Sequence, residues 1–207
     1  MSELYLISPP SINLPEFTKT LEQTLKIGGG AGAFQLRLKD TPLKEIEQAC
    51  KTLLPICHEY GVPFFINDHY ELARDLEIDG IHIGQTDGEL KKLKQEFGNE
   101  KIIGVSCMDS KHLAMIAAEA GADYVSFGAF YPTKTKKNTK AADLNLLTWW
   151  TSLAKTPYAA IGGINFNNIK NILEHNPDFI CVISAIWNST KPGENLKKFN
   201  DICRNCL

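Results

Sequence analysis

One short segment holds more groups suited to binding phosphate than any other part of the chain. Residues 133–137 read Thr-Lys-Thr-Lys-Lys, so two hydroxyls and three ammonium groups lie within five residues. The segment follows the apolar run 124–128, which has the composition of a buried strand, so we expect a loop at a strand end. Pro132 stiffens this loop by fixing its own φ and by biasing Tyr131 towards an extended conformation. The alternative interpretation is an ordinary solvated basic loop, and the other strand ends decide between the two.

Two aspartates follow neighbouring predicted strands. Asn67 and Asp68 come at the end of the run 63–67, and Asp87 follows the run 80–84. A few hard oxygen ligands of this kind suit Mg²⁺ that is shared with phosphate oxygens better than they suit zinc. A helix N-cap is the alternative role for each aspartate taken alone. The pair together predicts a magnesium site.

Polar residues alternate along the second predicted strand. Gln35, Arg37 and Lys39 fall on one face, and the intervening residues 34, 36 and 38 are apolar. Two cations that face the inside of a packed barrel are costly unless an anion compensates them. The pattern therefore predicts an anion-binding face, and the alternative is an edge strand with one solvated face.

The remaining predicted strand ends carry small or hydroxyl residues. These are Ser106 for the fifth strand, Gly162 and Gly163 for the seventh, and Ile183 and Ser184 for the eighth. Small residues let backbone N–H groups approach a phosphate closely, and the loops after strands seven and eight are the usual phosphate site of α/β barrels. His82, inside the fourth predicted strand, is expected to pack or to form a hydrogen bond in the interior.

Eight short apolar runs alternate with longer amphipathic segments and define the scaffold. The runs are 4–8, 33–38, 63–67, 80–84, 101–106, 124–128, 158–161 and 179–184. Strict alternation predicts parallel strands with helices outside, and eight units close most economically into a (β/α)₈ TIM barrel. The alternative is an open doubly wound sheet, which usually carries a glycine-rich phosphate loop after its first strand. The glycine-rich segment 28–32 precedes a strand, so we expect it to form a helix-to-strand turn.

Composition sets the remaining bounds. The 207 residues are 43% apolar and 22% charged, which fits a single domain over 1–207 with one core. A net charge of −2 gives no indication of nucleic acid or of a membrane surface as a partner. The N-terminus lacks the features of a signal peptide, so we expect a cytoplasmic protein with six reduced cysteines. Whether Cys203 and Cys206, which have C-x-x-C spacing, play any role stays open.

Seven motifs in order resemble those of the thiamine phosphate synthase family. They span strand two to strand eight, and each is weak alone but specific in combination. The motifs are Gln35-Leu36-Arg37-Leu38-Lys39, Asn67-Asp68, Gly84-Gln85-Thr86-Asp87, Gly104-Val105-Ser106, Pro132-Thr133-Lys134-Thr135-Lys136-Lys137, Ile161-Gly162-Gly163-Ile164 and Ile183-Ser184.

The resemblance implies an enzyme that joins a hydroxymethylpyrimidine diphosphate to a thiazole phosphate and releases diphosphate. It implies Mg²⁺ bound by Asp68 and Asp87, with Ser106 near the transferred group and with Arg37 and Lys136 stabilising the leaving group. The residues implied for the pyrimidine diphosphate are Gln35, Arg37, Lys39, Asn67 and Lys136, and Ser106 is implied to bind substrate near the transferred group. Those implied for the thiazole phosphate are Thr133, Lys134, Thr135, Gly163, Ile183 and Ser184. The resemblance also implies a dissociative substitution, without a protein nucleophile.

Some positions depart from the family pattern. His69, Cys107 and Met108 differ from the residue types common at these places, which puts selectivity and rate in doubt more than the class of reaction.

Two other functions stay open. A thiazole tautomerase of the same fold would lack the basic loop and the paired aspartates. A non-catalytic sensor of a thiamine precursor would use the same ligands as the enzyme. The sequence leaves open the carboxylation state of the thiazole and allows a homo-oligomer.

Overall fold

Eight parallel strands close into a barrel in the computed structural model, which describes residues 1–84, 87–133 and 141–205, without the side chains of residues 87 and 88. Each strand pairs with its neighbours in sequence, and β1 also pairs with β8. The strands are β1 (Glu3–Ile7), β2 (Ala33–Leu36), β3 (Phe64–Asn67), β4 (Gly80–Ile83), β5 (Ile102–Met108), β6 (Tyr124–Phe127), β7 (Tyr158–Ile161) and β8 (Phe179–Val182). The predicted (β/α)₈ barrel is confirmed.

Helices follow the strands and pack around the barrel. They are α1 (Leu14–Gly28), α2 (Leu43–Glu59), α3 (Leu72–Asp75), α4 (Asp87–Phe97), α5 (Lys111–Glu119), α6 (Asn145–Leu153), α7 (Ile169–Leu173), α8 (Ser184–Trp187) and α9 (Pro192–Asn205). The sequence did not predict α8, because a single helical turn is too short to show a 3.6-residue period. The predicted eighth strand therefore ends earlier than expected, and Ser184 begins a helix. Within the described ranges, no helix has the length and apolar character needed to cross a membrane.

Local signals fix several of the helix ends. The Ser110 hydroxyl caps α5 by accepting a hydrogen bond from the backbone N–H of Leu113 at 3.2 Å. Gly29 ends α1 in the left-handed conformation with φ of 80° and donates its N–H to the Leu25 carbonyl. The glycine-rich segment 28–32 is thus the helix-to-strand turn that its position indicated.

Aromatic rings fill the lower part of the barrel interior. Tyr5, Phe65 and Tyr124 point inward together with Phe179, and their ring centroids lie 5.5–6.1 Å apart. Because the Tyr124 ring occupies the space in which a side chain of residue 104 would lie, that position accepts only glycine. These rings leave the polar residues to the opposite end of the barrel, where the strands finish.

Aspartates bind the strands together at the amino-terminal end of the barrel. Each lies just before an even-numbered strand and accepts a hydrogen bond from a backbone N–H near the start of the strand before it. The pairs are Asp79 with Phe64 at 2.6 Å, Asp123 with Ile103 at 2.7 Å and Asp178 with Tyr158 at 2.9 Å. The repeated contact fixes the loops opposite to the polar end of the barrel.

Asp178 provides a test of this contact. Asp178→Ala removes the acceptor of the Tyr158 N–H and should lower the free energy of unfolding by about 1 kcal/mol. Asp178→Asn keeps an acceptor oxygen and is the matched control, with a smaller expected loss. Urea unfolding of both variants measures the difference, and equal stability of Asp178→Ala and the parent would show that this contact contributes nothing.

Candidate active site

A cavity of about 430 Å³ opens where the strands end. Residues from β2 to β8 and the loops that follow line it. Nine of the predicted site residues are among them, namely Gln35, Arg37, Asn67, Asp68, Ser106, Thr133, Gly163, Ile183 and Ser184. The barrel therefore brings together groups that are as much as 149 positions apart, from residue 35 to residue 184.

One predicted residue that the structure describes lies outside this lining. Lys39 is exposed beyond the end of β2, where its backbone N–H donates to the Pro10 carbonyl at 2.9 Å. The predictions for Lys134, Thr135, Lys136 and the side chain of Asp87 lie outside the described residues.

A chain of side-chain amides orients Asp68. Gln35, which is almost fully buried, donates to the Asn67 side-chain oxygen at 2.8 Å. Asn67 in turn donates to Oδ2 of Asp68 at 2.5 Å. Asp68 has φ of 65°, an uncommon value for a residue other than glycine, which persists where surrounding contacts hold it. One contact of this kind is the hydrogen bond from its backbone N–H to the His82 carbonyl at 2.9 Å.

Arg37 brings a half-buried positive charge to the cavity. Loss of solvation lowers the pKa of this guanidinium, and the negative charge of Asp68 acts in the opposite direction. Its backbone N–H donates to the Ser8 hydroxyl at 2.8 Å, which fixes the chain beyond β2. A partly desolvated cation is stabilised by an anion that binds beside it. The charge of Arg37 therefore suits an anionic ligand.

Glycines allow the loops after β6 and β7 to pack backbone against backbone. Gly163 has φ of 65°, and a Cβ at this position would lie 2.6 Å from the Pro132 carbonyl oxygen. The carbonyl of Gly163 accepts hydrogen bonds from the side-chain amides of Asn165 and Asn168 at 3.1 and 3.0 Å. The backbone next to Thr133 is thus held firmly at the mouth of the cavity.

Several lining residues, among them His82, Ser126 and Met108, were not predicted as site residues. His82 forms the expected interior hydrogen bond, which joins Nδ1 and the Tyr124 hydroxyl at 2.8 Å, but it also lines the cavity. Ser126 lies beside Ser106 in the β5–β6 register. Counting alternate residues back from the strand ends could have found both His82 and Ser126.

Met108 is another of these residues, and it separates from its neighbour Cys107. The β5–β6 register shifts between Ser106 and Met108, and Met108, with φ of 50°, lines the cavity. Cys107 is fully buried in the layer between strands and helices, and burial raises the pKa of its thiol to about 12. Of these two departures from the family pattern, only Met108 reaches the rim.

The carboxylate of Asp68 suits a magnesium ion better than it suits a metal centre in which protein side chains supply all the ligands. Within the described ranges, no three side chains of His, Cys, Asp or Glu come together to hold a metal. Mg²⁺ usually takes one or two carboxylates and fills its other positions with water and phosphate oxygens. Asp68 is one such carboxylate, and Asp87 begins α4 just after the neighbouring strand. The donors fit Mg²⁺ that is shared with a phosphate-bearing ligand.

Comparison with known proteins gives the family. A family model described as thiamine monophosphate synthase matches residues 4–186. The chain belongs to the thiamine monophosphate synthase family. Thiamine-phosphate synthases from Rhodospirillum centenum and Erythrobacter litoralis are 41% and 42% identical to it, over 97% and 90% of this chain and 97% and 88% of theirs. The expectation of a transferase of thiamine biosynthesis is thereby confirmed.

Solved structures agree with this membership of the thiamine monophosphate synthase family. Thiamine phosphate pyrophosphorylase from Pyrococcus furiosus superimposes with a TM-score of 0.86 at 30% identity, over 99% of this chain and 96% of that one. The 3-hexulose-6-phosphate synthase from Salmonella typhimurium reaches a TM-score of 0.78 at 17% identity, over 99% and 100% of the two chains, and shares the fold alone.

Gly163 tests the close approach of the two loops. Gly163→Ala should lower synthase activity by about 100-fold, because its Cβ would displace the segment around Pro132. Gly61→Ala is the matched control, because Gly61 also has φ of 65° but has open space where a Cβ would lie. Backbone strain should cost each variant about 1 kcal/mol of unfolding free energy, and the clash with the Pro132 carbonyl should add to this loss in Gly163→Ala. Equal activity of the two variants would contradict the role given to this contact.

Proposed function

We propose that this enzyme joins 4-amino-2-methyl-5-hydroxymethylpyrimidine diphosphate to thiazole phosphate, giving thiamine phosphate and diphosphate. The observation that carries the proposal is the cavity in which Arg37 and the oriented Asp68 meet the family motifs of β5, β7 and β8. A cation, a carboxylate and tightly packed glycine loops at one mouth match a reaction of two phosphate-bearing substrates.

The first substrate is assigned to the side of the cavity formed by β2 to β4. Arg37 is placed to neutralise part of the diphosphate charge, and the family resemblance adds Lys39 and Lys136. The Gln35–Asn67 amide pair is suited to a heterocycle that carries both donors and acceptors. The same pair keeps Asp68 in one orientation when ligands enter.

Asp68 and Asp87 are the residues that we propose for Mg²⁺. When bound there, the ion would supply positive charge to the departing diphosphate. Asn67 donates its hydrogen bond to Oδ2 of Asp68, so Oδ1 is the oxygen that this amide does not contact. The hydrogen bond also directs the Asp68 carboxylate towards the cavity.

The second substrate is assigned to the side formed by β6 to β8. We propose that Thr133, Lys134 and Thr135 contact the thiazole phosphate together with Gly163, Ile183 and Ser184. The amides of Asn165 and Asn168 hold Gly163, so the phosphate meets a backbone that is already in place. When the thiazole phosphate is held in place, its reaction with the first substrate needs little further ordering of the two molecules.

The reaction that fits these groups is dissociative. The C–O bond to diphosphate breaks, the electron-rich aminopyrimidine stabilises the cation that forms, and the thiazole nitrogen attacks it near Ser106. No protein nucleophile takes part in this sequence. Cys181 lines the cavity, but burial raises the pKa of its thiol far above the usual range, so it stays protonated and unreactive.

We further propose that residues 1–207 act as one domain in the cytosol. The barrel begins with β1 and closes on β8, so its two ends of chain depend on each other. Cys50, Cys57, Cys107 and Cys181 carry free thiols, as expected in a reducing compartment. Assembly into a homo-oligomer stays a prediction.

A direct assay tests the function. Purified protein with Mg²⁺ and both substrates should form thiamine phosphate and diphosphate, and EDTA should abolish this. Omitting either substrate is the control. Turnover of the thiazole without the pyrimidine diphosphate would indicate a tautomerase, and binding without turnover would indicate a sensor; either result would refute the proposal.

The metal assignment is tested at Asp68. Asp68→Asn should lower the rate by about 100-fold or more and raise the Mg²⁺ concentration that the enzyme needs, while asparagine tolerates the left-handed φ. Asp40→Asn is the control, because Asp40 also has a positive φ of 51° but is exposed and does not line the cavity. An unchanged rate for Asp68→Asn at low Mg²⁺ would rule out this ligand.

A further inference from the structure

Two tyrosine hydroxyls lie in line beneath His82. The Tyr5 hydroxyl is 2.9 Å from the Tyr124 hydroxyl, and the Tyr124 hydroxyl is 2.8 Å from Nδ1 of His82. Tyr5 and Tyr124 are almost fully buried, whereas His82 reaches the cavity. The three side chains therefore connect the closed interior of the barrel to the floor of the active site.

The order of donors along this line follows from the number of protons. If Tyr5 donates to Tyr124 and Tyr124 donates to Nδ1 of His82, each hydroxyl proton has an acceptor. In the reverse order His82 donates to Tyr124 and Tyr124 donates to Tyr5. The Tyr5 proton would then have no acceptor among the hydrogen bonds of the described residues. A buried donor without an acceptor is costly, so the first order is favoured.

Both hydroxyls stay protonated and can act as donors. Burial raises the pKa of Tyr124 and of Tyr5 far above the usual range for tyrosine, and in Tyr5 the nearby Tyr124 adds to the effect. A neutral imidazole that accepts at Nδ1 must carry its proton on Nε2.

The fold reserves the space for this arrangement. Gly104 lies between His82 and Tyr124 in the strand order, and the Tyr124 ring fills the place where its side chain would be. The rings of His82 and Tyr124 are inclined by 29° with their centroids 5.6 Å apart, so the imidazole packs on the phenol as well as bonding to it. The position of His82 is thereby set from below.

We propose that Tyr124 is a positioning residue that, with Tyr5 behind it, holds the His82 ring with Nδ1 as acceptor and the proton on Nε2, and makes the ring a hydrogen-bond donor to the pyrimidine diphosphate. The choice of ligand rests on the proposed function. His82 lies opposite Asn67 in the β3–β4 register, and Asn67 is bonded to Gln35, so His82 belongs to the same side of the cavity.

Nitrogen-15 NMR of the histidine rings tests the proton position in the free enzyme, at a pH well above the ordinary pKa of histidine. We expect Nε2 of His82 to carry the proton in the parent protein and a mixture of both tautomers in Tyr124→Phe. Tyr158→Phe is the control, because its hydroxyl contacts Thr151 and the His175 carbonyl away from the cavity, and it should leave His82 unchanged. A proton on Nδ1, or on both nitrogens, in the parent protein would overturn the proposal even if Tyr124→Phe does not fold.

Kinetics test the consequence for the substrate. Tyr124→Phe should raise the KM for the pyrimidine diphosphate by about tenfold and leave the KM for the thiazole phosphate unchanged. Tyr158→Phe should change neither KM, although it should lower stability. Equal effects of Tyr124→Phe on both KM values would show a general structural role and contradict the proposal. A parent protein without synthase activity would refute the proposed function. The NMR result for the His82 ring nitrogens would still test the proton position, because it does not depend on synthase activity.

Discussion

The pairing of β1 with β8 is the contact on which the rest of the structure depends. All eight strands are parallel, so closing the sheet brings every carboxyl end to one mouth. Arg37 and Asp68 from the first half of the chain then face Gly163 and Ser184 from the second half across a single cavity. Aromatic rings fill the other end of the interior, so the cavity forms at the mouth. Closure and packing together therefore create the site.

Charge in this mouth is held in place and only partly neutralised. Arg37 loses solvation beside Asp68, and Asp68 is fixed by Asn67 and by an unusual backbone conformation. The side chains of such a site are ordered during folding, so binding of a diphosphate requires little further ordering of them. The amides that bind Gly163 prepare the opposite side in the same way. Binding two anionic substrates next to each other is the chemistry that this arrangement favours.

Much of this could be predicted from the sequence, because strand–helix alternation and residues at strand ends are local patterns. Asp68 and Gly163 were found in this way, and both line the cavity. His82 was expected only to form an interior contact. Alternation along β4 marks it as a candidate for the cavity, but alternation alone does not show how deep the cavity extends. Met108 reaches the rim through a shift in strand register that depends on pairing with β6. The alternation predicted from the sequence extends to Lys39, but β2 ends at Leu36 and Lys39 is exposed.

We infer that a metal-bound diphosphate occupies the β2–β4 side of this mouth. A crystal structure of the enzyme with Mg²⁺ and the pyrimidine diphosphate tests it most directly. We expect the diphosphate beside Arg37, the ion bound to Asp68 and Asp87, and the pyrimidine ring next to Gln35 and His82. A diphosphate bound elsewhere, or an ion without contact to Asp68, would contradict the account.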